Sequence, residues 1–118
     1  MDYKQELEKM QKLNRNKGEF WKASPGIYDI EFLEEPIESE PFIDVKRDKT
    51  TPTLLYHVKV NNQIYKWKVG VNYNMVSTHY QLMRAAALHD NKFLGLKITM
   101  KVEEVMVAGN RINIYHIM

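Results

Sequence analysis

Leu54-Leu-Tyr-His-Val-Lys-Val60, then Asn61-Asn62, then Gln63-Ile-Tyr-Lys-Trp-Lys-Val-Gly70 reads as one β-hairpin. Asn tolerates the left-handed backbone that a two-residue hairpin turn demands, so Asn61-Asn62 sets the turn. With that turn, Val60 faces Gln63, Val58 faces Tyr65, Tyr56 faces Trp67 and Leu54 faces Val69. Strand side chains alternate between faces, so the same choice sorts them. Tyr56, Val58, Tyr65 and Trp67 share an apolar face. His57, Lys59, Lys66 and Lys68 share the other, with Leu55 and Ile64 as its apolar members.

Before the hairpin, Tyr3, Leu7 and Met10, with Leu13 close by, predict a short amphipathic helix over residues 2–16. Its thin apolar stripe leaves three fates open: packing on the domain, pairing with another chain, or fraying. Asn16-Lys17-Gly18 stops it, and Phe20–Gly26 is an irregular lead-in ending in Pro25-Gly26. Ile27–Glu34 alternates as a first strand, with Tyr28, Ile30 and Phe32 opposite Asp29 and Glu31. Residues 35–53 are a long excursion around a candidate short strand, Phe42–Lys46.

After the hairpin, Ser77 caps a helix running to about His89, with Val76, Tyr80, Met83 and Ala87 as its expected buried stripe. Leu94 to Val102 then alternates as a strand. The alternation slips at Glu103-Glu104, which predicts a β-bulge there. Ala108-Gly109-Asn110-Arg111 turns the chain into a last strand, Ile112–Met118. Residues 1–19 are thus an N-terminal helical arm and 20–118 a single β-rich domain.

A chain of 118 residues with 44% hydrophobic content fits one domain with a true core. No apolar run approaches the roughly 18–20 residues of a membrane span, and no signal peptide is expected at the start. The absence of cysteine excludes disulfides and thiolate metal sites and fits a cytoplasmic protein. The net charge of +2 hides a division. Residues 23–44 hold seven acidic groups and no basic one; residues 45–72 hold six basic groups against Asp48 alone. The basic block would attract a polyanion, or pair with the acidic block across neighbouring strands.

No catalytic arrangement stands out, so no enzyme activity, cofactor or metal is expected. His57, His79, His89 and His116 lack metal-ligand spacing, the glycines form no phosphate loop, and no serine sits in a nucleophile elbow.

One strand, a hairpin, a helix and a second hairpin with a bent first strand resemble the OB-fold, a five-stranded Greek-key barrel with its helix between strands three and four. A four-stranded sheet packed by helices is the alternative. The basic third strand Ile64-Tyr-Lys-Trp-Lys-Val69 and the cysteine-free small size resemble OB-fold single-stranded-DNA-binding proteins of the compact archaeal, viral or phage kind. That resemblance implies sequence-tolerant binding of single-stranded DNA or RNA on the outer face of the second and third strands. There Lys59, Lys66 and Lys68, beside Lys46, Arg47 and Lys49 of the leading loop, would meet phosphates. Trp21 is a candidate stacking ring; Tyr56, Tyr65 and Trp67 either fill the barrel or form a platform. A different reading is a protein-interaction or assembly module, in which the N-terminal helix or the acidic loop contacts a partner or a second copy.

Overall fold

The computed structural model describes residues 2–16 and 19–118. Helix α1 (Tyr3–Asn16) precedes strands β1 (Gly26–Phe32), β2 (Ile37–Asp44), β3 (Lys49–Val60) and β4 (Gln63–Gly70). Helix α2 (Thr78–Leu88) leads to the last hairpin, β5 (Lys97–Val107) and β6 (Asn110–Ile117). The six antiparallel strands form one curled half-barrel. β3 is its spine: β4 runs along one edge, and β2 and then β1 share the other. β1 passes the sheet on to β5, and β5 to β6. β4 and β6 end the curl and do not pair with each other.

The central hairpin follows its sequence pattern. Asn61 and Asn62 both take the left-handed conformation, with φ of 47° and 72°. Leu54–Val69, Tyr56–Trp67, Val58–Tyr65 and Val60–Gln63 are the paired positions. Tyr56, Val58, Val60, Trp67 and Val69 point into the core, where they meet Ile30 and Phe32 of β1, Ile98, Met100 and Val102 of β5, and Leu82 and Ala86 of α2.

Four expectations need correction. The sheet has six strands, because the predicted short strand at Phe42–Lys46 begins earlier, at Ile37, and ends at Asp44. The first strand stops at Phe32 rather than Glu34, and β2 takes up the same edge of β3 after the Pro36 break. The bulge expected at Glu103-Glu104 is absent: β5 and β6 keep one register from Met100–Ile117 to Val107–Asn110. Beyond Val102 that hairpin outruns the core, with Met106 64% and Val107 51% exposed, so burial no longer enforces alternation. The sheet's register shift lies instead in β2, between Ser39 and Phe42. Pro41 falls in that gap; it has no N–H for a ladder, and a bulge accommodates it. Thr53 Oγ1 donates to the Glu40 carbonyl at 2.8 Å, satisfying a group near the irregularity.

The fourth correction concerns the rotation of α2. Ser77 is the N-cap, accepting from the Tyr80 amide at 3.1 Å, as its sequence position implies. The buried positions, however, are His79, Leu82 and Ala86, while Val76 and Ala87 are exposed and Tyr80 lies at the margin. Gln81 accounts for the offset. Its carboxamide donates to the Tyr115 carbonyl and accepts from the Ile117 amide, both at 2.8 Å. The side chain thus serves the edge of β6 as a paired strand would, and fixes the face that α2 presents.

Tyr56 is fully buried among Phe32, Trp67 and Phe93, and its hydroxyl has no hydrogen-bond partner among the described residues. Burial raises its pKa well above the usual tyrosine range. An unsatisfied buried hydroxyl is costly, so Tyr56→Phe is expected to stabilise the fold by about 1 kcal/mol in urea titration. A destabilised variant would mean that the hydroxyl is hydrogen-bonded.

Candidate functional site

The outer face of the β3–β4 hairpin gathers Lys66 and Lys68 two positions apart on β4, which places them about 6.6–7 Å apart along the strand. Lys66 pairs across with His57, and Lys68 with Leu55. Two rings from elsewhere in the chain flank this row. Glu19–Trp21 runs along the far edge of β4, where the Lys66 amide donates to the Glu19 carbonyl at 2.9 Å and the Trp21 amide to the Lys66 carbonyl at 2.8 Å. That short parallel contact puts Phe20 on the outer face, with the Lys66 ammonium 4.5 Å from its ring centroid. On the other flank, Phe42 of β2 lies over Gly70 and Thr51, and the Lys68 ammonium is 4.9 Å from its centroid. Both rings are about half exposed, at 52% and 49%.

Neither Lys66 nor Lys68 forms an ion pair among the described residues; each rests on a ring. A cation–π contact at an exposed site is worth only about 0.5–1 kcal/mol, so moving such an ammonium to an incoming phosphate costs little. Lys59 differs: it stands opposite Glu31 of β1, which also faces Lys97 of β5. Lys59 thus has a carboxylate across the strand, though it forms no ion pair among the described residues. The two β4 lysines have no acidic residue opposite them.

The other expected site residues are dispersed. Lys46 and Arg47 occupy the β2–β3 turn, where their amides donate to Asp44 Oδ1 at 3.1 and 3.3 Å, and Lys49 opens β3. Lys49 is six positions along β3 from Leu55, the partner of Lys68, so this basic tip lies roughly 20 Å from the lysine row. Trp21 turns inward, half-buried, with ring centroids 5.1 Å from Trp67 and 5.3 Å from Tyr28. It packs against the core and keeps one side on a surface pocket beside Phe20 and Tyr65. Trp67 and Tyr56 are core as well. His57, expected on the exposed cationic face, is buried, with Nδ1 3.5 Å from Glu34 Oε2, because the Glu34 segment folds over it. Sequence reading missed Phe20 and Phe42 as outer-face rings. Alternation alone offered one signal: Trp21 packs inward, so its neighbour Phe20 must face out.

His79 lies at the start of α2, 7% exposed, with its ring near Tyr73. Burial lowers its pKa below the ordinary 6.5. The unfolded chain therefore takes up this proton first as pH falls. The associated stability is full above about 6.5 and is lost as pH drops through the lower, folded value. Thermal melts across that range should show a smaller acid-side loss for His79→Gln than for the parent chain. Equal losses would place the titration elsewhere.

Among the described residues no cluster of three or more His, Cys, Asp or Glu side chains comes together, and no helix is long and apolar enough to cross a membrane. Compared with known proteins, the chain matches no family model, no curated protein and no solved structure.

Proposed function

We propose that this protein binds single-stranded nucleic acid without sequence preference, on the outer face of the β3–β4 hairpin. The observation that carries the reading is the pairing of cations with open rings: Lys66 with Phe20, and Lys68 with Phe42. Single-strand binders combine a positive track for the backbone with rings on which bases stack, and this face has both within a few ångströms. Single-stranded DNA is the preferred ligand, with RNA as the second polymer to compare. The chain is read as an OB-like barrel that lacks the final strand-to-strand closure, with β1, β3, β4, β5 and β6 as its five strands and β2 as an extension of the first. In this reading the protein has no catalytic role.

The test is a salt-dependent titration with a labelled oligothymidylate. Each phosphate contact on a single strand contributes about 0.7 to the slope of log affinity against log salt. Lys66→Ala with Lys68→Ala should therefore flatten the slope by roughly 1–1.5 units, while the melting temperature stays nearly unchanged. An unchanged slope would remove both lysines from the interface.

A second reading, an assembly module, is favoured by one observation. Tyr3, Leu7 and Met10 form an exposed stripe on α1, at 79%, 55% and 55%. Light scattering of the chain with Leu7→Glu and Met10→Glu distinguishes it, since an assembly built on that stripe would dissociate.

A further inference from the structure

The gap between β4 and β6 is a second surface that shares Lys68 with the lysine row: the side chain lies on the outer face and the main chain borders the gap. In antiparallel pairing, residues alternate between bonding the neighbour strand and pointing their N–H and C=O away from it. Lys66 directs both groups at Glu19–Trp21, so Lys68, two residues on, directs its pair at the same edge. On β6, Tyr115 and Ile117 face the gap and are partly served by Gln81, so Asn113 faces it too. The chain already threads one extended segment here. Glu19–Trp21 lies against β4, and the Ala23 carbonyl accepts from Asn113 Nδ2 at 3.1 Å. Beyond that segment the gap continues as a groove of about 370 Å³ that includes Trp67, Lys68, Asn113 and Tyr115.

The groove's lining contains no carboxylate. Ser77, Thr78 and His79 at its wall are the N-terminal end of α2, whose first turn holds no acidic residue. The end of a helix dipole uncompensated in this way favours a negative charge. His79 Nδ1 is also buried there with no hydrogen-bond partner among the described residues. Open strand edges call for an extended main chain, and the helix end calls for a carboxylate.

We propose that this groove takes an extended acidic peptide of a partner protein as an added strand, its main chain bonding Lys68 and Asn113 and a carboxylate lying at the start of α2. Main-chain bonds to a sheet edge supply affinity in such strand addition, and side-chain pockets supply specificity. The site meets the proposed oligonucleotide face only at Lys68, which serves the groove through its main chain and the other face through its side chain, and its test does not depend on that reading.

The experiment uses the full chain and a labelled peptide of alternating valine and glutamate. Two controls accompany it: the same peptide N-methylated at alternate amides, and a valine–lysine version. Anisotropy should show the valine–glutamate peptide binding, with both controls at least about tenfold weaker, and hydrogen exchange should slow at the Lys68 and Asn113 amides. Thr78→Asp places a carboxylate in the first turn of α2, where it suits the helix, and should weaken the peptide about tenfold while leaving oligothymidylate binding unchanged. No binding by the valine–glutamate peptide, or equal binding by the N-methylated one, would overturn the proposal. Displacement of the bound peptide by oligothymidylate, with protection of the same two amides, would also overturn it by assigning the groove to nucleic acid.

Discussion

Replacing Phe20 and Phe42 together with alanine is expected to weaken oligothymidylate binding by at least about thirtyfold, with little change in melting temperature. Base stacking on an aromatic ring is worth about 1–3 kcal/mol per base, so two lost rings remove roughly 2–6 kcal/mol. The smaller figure already corresponds to about thirtyfold in affinity. Stability should hold because both rings are half exposed and lie outside the buried cluster. The double lysine variant acts on the salt slope, whereas the double phenylalanine variant should lower affinity at every salt concentration and leave the slope in place. Titrations of both variants at about 50 and about 200 mM salt separate the two contributions. A phenylalanine variant that binds like the parent would leave the rings without a role in recognition.

Trp67→Ala is expected to have the largest effect on folding. Trp67 is 6% exposed and sits at the centre of a ring cluster, with centroids 5.1 Å from Trp21, 6.0 Å from Tyr56 and 6.3 Å from Tyr115. Truncating a buried tryptophan typically costs about 3–5 kcal/mol, a large part of the roughly 5–15 kcal/mol that holds a small domain together. Denaturant titration should show that loss. A change below about 1 kcal/mol would contradict the assignment of Trp67 to the core and return it to the candidates for stacking.

The central hairpin was readable from sequence because one turn, Asn61-Asn62, fixes its register, and burial of Tyr56, Val58 and Trp67 leaves no competing register. Ser77 was readable for a similar reason: a single local hydrogen bond defines a helix start. The features that escaped depend on contacts between distant residues. The rotation of α2 follows from Gln81 reaching Tyr115 and Ile117 on β6. The run of β2 from Ile37 depends on pairing with β3, since its own pattern, Ile-Glu-Ser-Glu-Pro-Phe-Ile-Asp, is largely exposed and carries no buried stripe. The site shows the same division. Lys66 and Lys68 come from one strand and were found together. Phe20 and Phe42 reach the same face through a short parallel contact and a bulged strand, and apart from the alternation of Phe20 with Trp21 neither leaves a local trace. His57 was misplaced because alternation reports the face a residue takes, not whether another segment covers that face.

The most direct test of the account is an amide-resolved NMR titration of the full chain with oligothymidylate at low salt. The account predicts saturable shifts centred on Phe20, Phe42, Lys66 and Lys68, with Lys46, Arg47 and Lys49 affected only by longer oligonucleotides that span the intervening roughly 20 Å. No binding at low salt, or shifts confined to the β4–β6 groove or to α1, would contradict it.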